Sequence, residues 1–233
     1  MAAEFPAEAV AMVQSALADA ADPEKAAGMQ AYMKTDMPFY GVQKPERARI
    51  LRRLRKEHPP ADHGQYLSLA TALWELPHRE EKYLAQGVAT AFPKWIIPES
   101  FPLYERFVVE GAWWDFVDET ATHMIRTLVL GHPGYTWPIM DHWIDDPDMW
   151  RRRSALLCQI GAGSRTDQER LFDYCRRCAH ETEFFIRKAI GWALRDYGRT
   201  APEEVAHFAT THRDELSGLS YREATKHLGH LVN

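Results

Sequence analysis

The stretch TEFFIRKAIGWALRDYG, residues 182–198, decides the fold. At about 100° per residue, Ile186, Ala189, Ile190, Ala193, Leu194 and Tyr197 fall on one face, which predicts a helix with a buried side. Trp192 lies off that face, with Phe185, Lys188, Arg195 and Arg199. Aromatic rings interleaved with cations suit a surface that meets phosphate and sugar. They suit equally a helix packed on two sides, as in a stack of helical repeats.

The same period runs outward along the chain. Helices are expected at about 7–20, 24–35, 45–57, 64–76, 79–92, 98–110, 113–130, 135–144, 148–160, 167–179, 182–198, 202–213 and 219–231, with prolines and glycines between them. No stretch alternates as a strand does, and no long linker divides the 233 residues. The expectation is therefore an all-α chain of HEAT-like helical repeats, stacked as a curved α-solenoid in a single domain over 1–233. Trp114 precedes Arg153 by 39 residues, and Arg153 precedes Trp192 by another 39. Residues one period apart in a solenoid lie on the same side of neighbouring repeats, so these three are placed on one concave surface. Trp74 precedes Trp114 by 40 residues, and that recurrence is read as chance in a chain with eight tryptophans.

Composition sets bounds on partners. Hydrophobic content is 45% and charged content 26%, as in globular chains. No apolar run approaches the roughly 18 residues of a membrane helix. The opening MAAEFPAEAVAMVQ lacks a basic region followed by an apolar core, so a cytoplasmic protein is expected, with no membrane partner. Net charge is −5, and a nucleic-acid binder of that charge must gather its cations on one face. Arginines do cluster, in RARILRRLRK (47–56), WRRR (150–153) and CRRC (175–178). The three cysteines, Cys158, Cys175 and Cys178, show no disulfide framework. Cys175 and Cys178 are read as small apolar residues on one helix face rather than a redox or metal pair.

Two further helices carry chemistry. In MWRRRSALLCQI (149–160), Met149, Leu156, Leu157 and Ile160 make an apolar stripe with Arg153 inside it, Arg152 at its edge and Arg151 outside. An arginine in such a stripe must find an anion, either a protein carboxylate or a phosphate gripped by two parallel bonds. In GAWWDFVDETA (111–121), Trp113, Val117, Ala121, Met124 and Leu128 are assigned to the core face of helix 113–130. Trp114 and Asp118 flank that face one turn apart. Asp115 and Glu119 suit a helix start. Asp118 beside an indole can be held partly desolvated, where it acts strongly on a cation, or it can pair with Arg153 one repeat on.

AYMKTDMPFYGVQKPERAR (31–49), WWDFVDETA (113–121), MWRRRSALL (149–157) and EFFIRKAIGWALRDYG (183–198) together resemble the AlkD-type DNA alkylation repair proteins, HEAT-like repeat glycosylases. The resemblance implies excision of purines alkylated at N3 or N7 in double-stranded DNA, leaving an abasic site, by a monomer that needs no metal or cofactor. The family's catalytic aspartate falls on Asp118, its tryptophans on Trp114 and Trp192, its phosphate-contacting arginine on Arg153 and a first-motif tyrosine on Tyr32. Further DNA contacts are expected from Lys34, Arg47, Arg52, Arg152, Phe185 and Lys188. Tyr40 and the dense run Arg151 to Arg153 depart from the family pattern. Three other readings fit the same residues: a non-catalytic binder of bent or branched DNA, a resistance glycosylase for bulky natural-product adducts, and a protein scaffold.

Overall fold

Helix starts are written into the sequence as acidic and hydroxyl caps. Asp22 accepts from the Lys25 N–H at 3.1 Å, Asp62 from Gln65 at 2.8 Å, Asp148 from Trp150 at 2.8 Å, Asp167 from Arg170 at 3.0 Å, and Ser217 from Ser220 at 3.0 Å. Each satisfies one orphan donor of a first turn. Prolines occupy the first turn of other helices, where their missing N–H costs nothing.

The computed structural model describes residues 5–229, 231 and 232. The first four residues of the expected domain, together with His230 and Asn233, lie outside the described residues. The chain forms two compact units that meet in sequence between Ile96 and Ile97. The first holds α1 (Ala7–Asp19), α2 (Pro23–Met33), α3 (Lys44–Glu57), α4 (His63–Trp74) and α5 (Arg79–Ala91). The second holds α6 (Phe101–Val109), α7 (Trp114–Glu119), α8 (Arg126–Gly131), α9 (Pro133–Trp143), α10 (Met149–Leu157), α11 (Gln168–Arg177), α12 (Phe184–Tyr197), α13 (Pro202–Thr211) and α14 (Gly218–Ala224). No strand occurs among the described residues, so the all-α expectation of stacked helical repeats holds. None of the described helices is long and apolar enough to cross a membrane.

In the first unit, α4 packs on α5, and α3 packs on α1 and α5. Leu17, Leu54, Leu69, Leu73, Leu84 and Trp74 fill the interior, each side chain contributing about 1.5–3 kcal/mol on burial. Glu80 is fully buried. Its carboxylate accepts the backbone N–H groups of Tyr40, Gly41 and Val42 at 3.1, 2.9 and 3.0 Å, so α5 fixes the path of the 38–43 loop. Tyr40 stacks on His78 with ring centroids 3.9 Å apart and donates to Glu81 at 3.1 Å.

In the second unit, α10 is central, packing against α6, α7, α9 and α12, while α12 packs most extensively on α14. Val117, Ala121, Met124 and Leu128 are fully buried, as are Ile186, Ala189, Ile190 and Leu194. Three details depart from the helical wheel. Trp113 precedes α7 in extended conformation and is half-buried against Trp150 and Phe185, so it is not part of that helix's core face. A π turn over Thr120–Ile125 separates α7 from α8, and the Arg126 N–H donates to Ala121 O, five residues back. Thr120, Thr122 and Thr127 each donate a hydroxyl to the carbonyl four residues earlier, at 2.8, 2.7 and 2.7 Å. That competition loosens the regular ladder. Tyr197 is half-exposed, its hydroxyl bonded to Gln168 at 2.9 Å. The last expected helix stops at Ala224, because the Leu228 N–H turns back to Thr225 O at 2.8 Å and buries Leu228.

Candidate active-site cleft

Three helices of the second unit build the site. Asp118 comes from α7, Arg153 from α10 and Trp192 from α12. Arg153 emerges within the apolar stripe of α10 with a side chain only 5% exposed. A buried guanidinium needs satisfied donors, and Asp118 supplies two of the acceptors. Nε donates to Oδ1 at 2.7 Å and Nη2 to Oδ2 at 2.8 Å. Nη1 donates to the Phe185 carbonyl, and the guanidinium carbon sits 5.8 Å from the Phe185 ring centre. One side chain therefore ties α7 to α12.

The pair forms part of a cleft of about 400 Å³ lined by Trp114, Asp118, Arg153, Phe184, Phe185, Lys188, Trp192 and Arg195. Phe184 is 56% exposed. Behind Phe185, Trp113 and Trp150 complete an aromatic layer, with ring centres 5.3 and 5.1 Å from that ring. Asp118 keeps 15% of its side chain exposed. Burial pushes its carboxyl above the ordinary value of 3.8, while the hydrogen bonds and charge of Arg153 pull the other way. The cleft thus holds a mostly desolvated carboxylate in fixed orientation, with indole and phenyl surface beside it. Such an arrangement stabilises positive charge that develops in the cleft.

A model of the family described as "DNA alkylation repair enzyme" matches residues 13–228. The chain belongs to this DNA alkylation repair family. A solved structure of a "predicted DNA alkylation repair enzyme from Enterococcus faecalis" is similar, with a TM-score of 0.82 and 31% identity over 90% of this chain and 97% of that one. No curated protein matches the chain.

Within this family member, the structure brings together six of the expected site residues: Trp114, Asp118, Arg153, Phe185, Lys188 and Trp192. The 39-residue spacing did mark one surface. Arg152 points elsewhere. It holds Glu181 through Nε at 2.6 Å and Nη2 at 3.0 Å, and its Nη1 donates to the carbonyls of Asp146 and Pro147 at 2.7 and 2.9 Å. Its guanidinium also ties down the 146–148 turn.

Tyr32, Lys34, Arg47 and Arg52 belong to the first unit. Tyr32 is 71% exposed on α2, and Lys34 caps that helix in the left-handed region at φ 52°. Arg47 donates to Val42 O at 2.7 Å and lies 4.5 Å from the Tyr83 ring centre. Arg52 is exposed on α3. Two cleft residues lay outside the expected set, Phe184 and Arg195. Arg195 shares the α12 stripe with Lys188 and Trp192, and that stripe was the available signal. Cys158, Cys175 and Cys178 are buried and unpaired, consistent with packing residues.

Proposed function

We propose that the protein is a DNA glycosylase that hydrolyses the N-glycosidic bond of cationic N3- or N7-alkylated purines in duplex DNA. The observation that carries this reading is the placement of a desolvated carboxylate, Asp118, among the indoles of Trp114 and Trp192 in one cleft. Alkylation at a ring nitrogen makes the purine positive and a good leaving group. As the bond from C1′ to the purine breaks, its electron pair goes to the base and neutralises it, and positive charge builds on the deoxyribose. Asp118 faces that charge at short range in a low-dielectric site, where it acts strongly. Water adds at C1′, its proton passes to Asp118 or to solvent, and a neutral alkylpurine and an abasic sugar result. Indole faces attract cations by roughly 0.5–2 kcal/mol each, so Trp114 and Trp192 hold the charged nucleotide.

Arg153 orients Asp118 through its two parallel bonds. The three bonds described above use three of its five N–H donors, and the reading assigns the rest to a backbone phosphate. Lys188 and Arg195 supply further phosphate contacts on the same cleft, and Phe184 and Phe185 supply stacking surface. In the first unit, the reading assigns Tyr32, Lys34, Arg47 and Arg52 to contact with DNA. The molecule acts as a monomer on duplex DNA in the cytoplasm.

The test is base release from duplex DNA carrying N7-methylguanine or N3-methyladenine, read as strand cleavage at abasic sites after alkali. Wild type releasing base and Asp118→Asn losing most of the rate is the expected result. Duplex binding with no release by wild type defeats the reading. One observation favours a second reading. The closed Asp118–Arg153 pair also suits a non-catalytic binder of bent or branched DNA, in which the carboxylate is only a structural counter-ion. That protein would bind branched and lesion duplexes alike and release nothing.

A further inference from the structure

Among the described residues, Glu223 is the carboxylate that bonds both cations of α12 on the cleft wall, Lys188 and Arg195. Its Oε1 accepts from Lys188 Nζ at 2.8 Å, and its Oε2 accepts from Arg195 Nη1. The placement is built. Lys188, Gly191 and Arg195 follow one another along α12 on the side that faces α14. Gly191 leaves the room: a Cβ there would lie 2.4 Å from Glu223 Cβ and 3.0 Å from Ser220 O. Ser220 in turn donates to Arg187 O at 3.0 Å, which locks the two helices in register.

Stability alone is a weak reason for this arrangement. The side chains of Lys188, Arg195 and Glu223 are 37, 22 and 22% exposed, and ion pairs at such exposure contribute about 0–1 kcal/mol. Glu223 stays ionised, because the Lys188 hydrogen bond, opposed by partial burial and joined by the charges of Lys188 and Arg195, holds its carboxyl below the usual range. An anion thus bridges two cations that line the cleft.

We propose that Glu223 is a specificity-determining residue: a built-in phosphate substitute that holds Lys188 and Arg195 and must be exchanged for a backbone phosphate when duplex binds. The inference rests on the reading of this cleft as a DNA site. Undamaged duplex brings only the phosphate, and the exchange of one anion for another gains little. A duplex carrying a cationic purine adds the attraction of Asp118, Trp114 and Trp192, so the exchange becomes favourable. Glu223 thereby suppresses unproductive binding to intact DNA.

The experiment measures affinity for an undamaged duplex and for the same duplex with one N7-methylguanine, across a salt series. Glu223→Gln is expected to tighten binding to the undamaged duplex several-fold and to narrow the preference for the lesion. The salt slope should steepen by about 0.9, the release of counterions from one further phosphate. Adding Lys188→Gln to that variant should return the slope to the wild-type value. Unchanged slope and preference in a folded Glu223→Gln protein would falsify the inference, as would weaker binding at the same slope. If Glu223→Gln does not fold, Glu223→Asp decides. It keeps the charge but is too short to span both cations, and it must show the same changes in smaller measure. Wild type that binds no duplex at any salt removes the DNA reading itself, and this inference with it.

Discussion

Arg153 grips Asp118 side-on, with two parallel hydrogen bonds of 2.7 and 2.8 Å between side chains that are 5 and 15% exposed. The carboxylate is therefore oriented and charge-matched before any ligand arrives.

Asp118→Asn keeps the shape and one acceptor but removes the charge. Base release in single-turnover assays should fall by roughly 10²–10⁴-fold, while affinity for undamaged duplex changes little. Asp118→Ala leaves Arg153 buried and unpaired. It should also lower unfolding free energy by about 3 kcal/mol, read by denaturant titration.

The pH profile follows from the direction of the Asp118 shift. Burial raises its carboxyl above 3.8, so the ionised, active form is lost on the acid side at a pH above that of an ordinary aspartate. Arg153 opposes the rise, and Arg153→Ala should move the acid limb of base release to still higher pH. The stability sign is consistent. A raised folded-state value favours the fold below 3.8, and that contribution fades as pH climbs through the folded-state value.

Trp114→Ala and Trp192→Ala should each weaken the preference for cationic over neutral lesions by roughly two- to thirtyfold, the span of one cation–π contact. Competition binding between an alkylated duplex and its uncharged analogue provides the readout.

Gly191→Ala sets two effects against each other. Helix propensity favours alanine by about 1 kcal/mol. The new methyl would meet Glu223 Cβ at 2.4 Å, and overpacking of that kind costs about 1–3 kcal/mol. The clash should win, with Tm lowered by a few degrees in calorimetry.

The thiols should be inert in the native state. Burial pushes Cys178 up to about 12 and raises Cys158 and Cys175 as well. Thiol titration at about pH 8 should find them unreactive until denaturant is added.

The helices were legible because burial enforces a 3.6-residue period, and the interior positions of α7, α8 and α12 obeyed it. The common surface of Trp114, Arg153 and Trp192 was legible because equal spacing in a repeat returns the chain to one side. The wheel failed at Trp113, where the chain is extended, and at Tyr197, which is half-exposed; the π turn over Thr120–Ile125 breaks the regular helix yet leaves Ala121 and Met124 buried. Arg152 is expected at the DNA, and its ion pair was not legible in the sequence. Glu181, 29 residues on, claims it, and only tertiary structure reveals that. Glu223 was hidden for the same reason. Its segment, SYREATK, carries no motif, and the one hint was a glycine in the middle of α12.

The three-way hold of Arg153 on Asp118 Oδ1, Asp118 Oδ2 and the Phe185 carbonyl has a dimensional meaning. A guanidinium is flat and rigid, so it works as a gauge block between α7 and α12. Its width, rather than the give of two helices, sets the aperture between α7 and α12. Lysine, a single point of charge, would let that aperture drift.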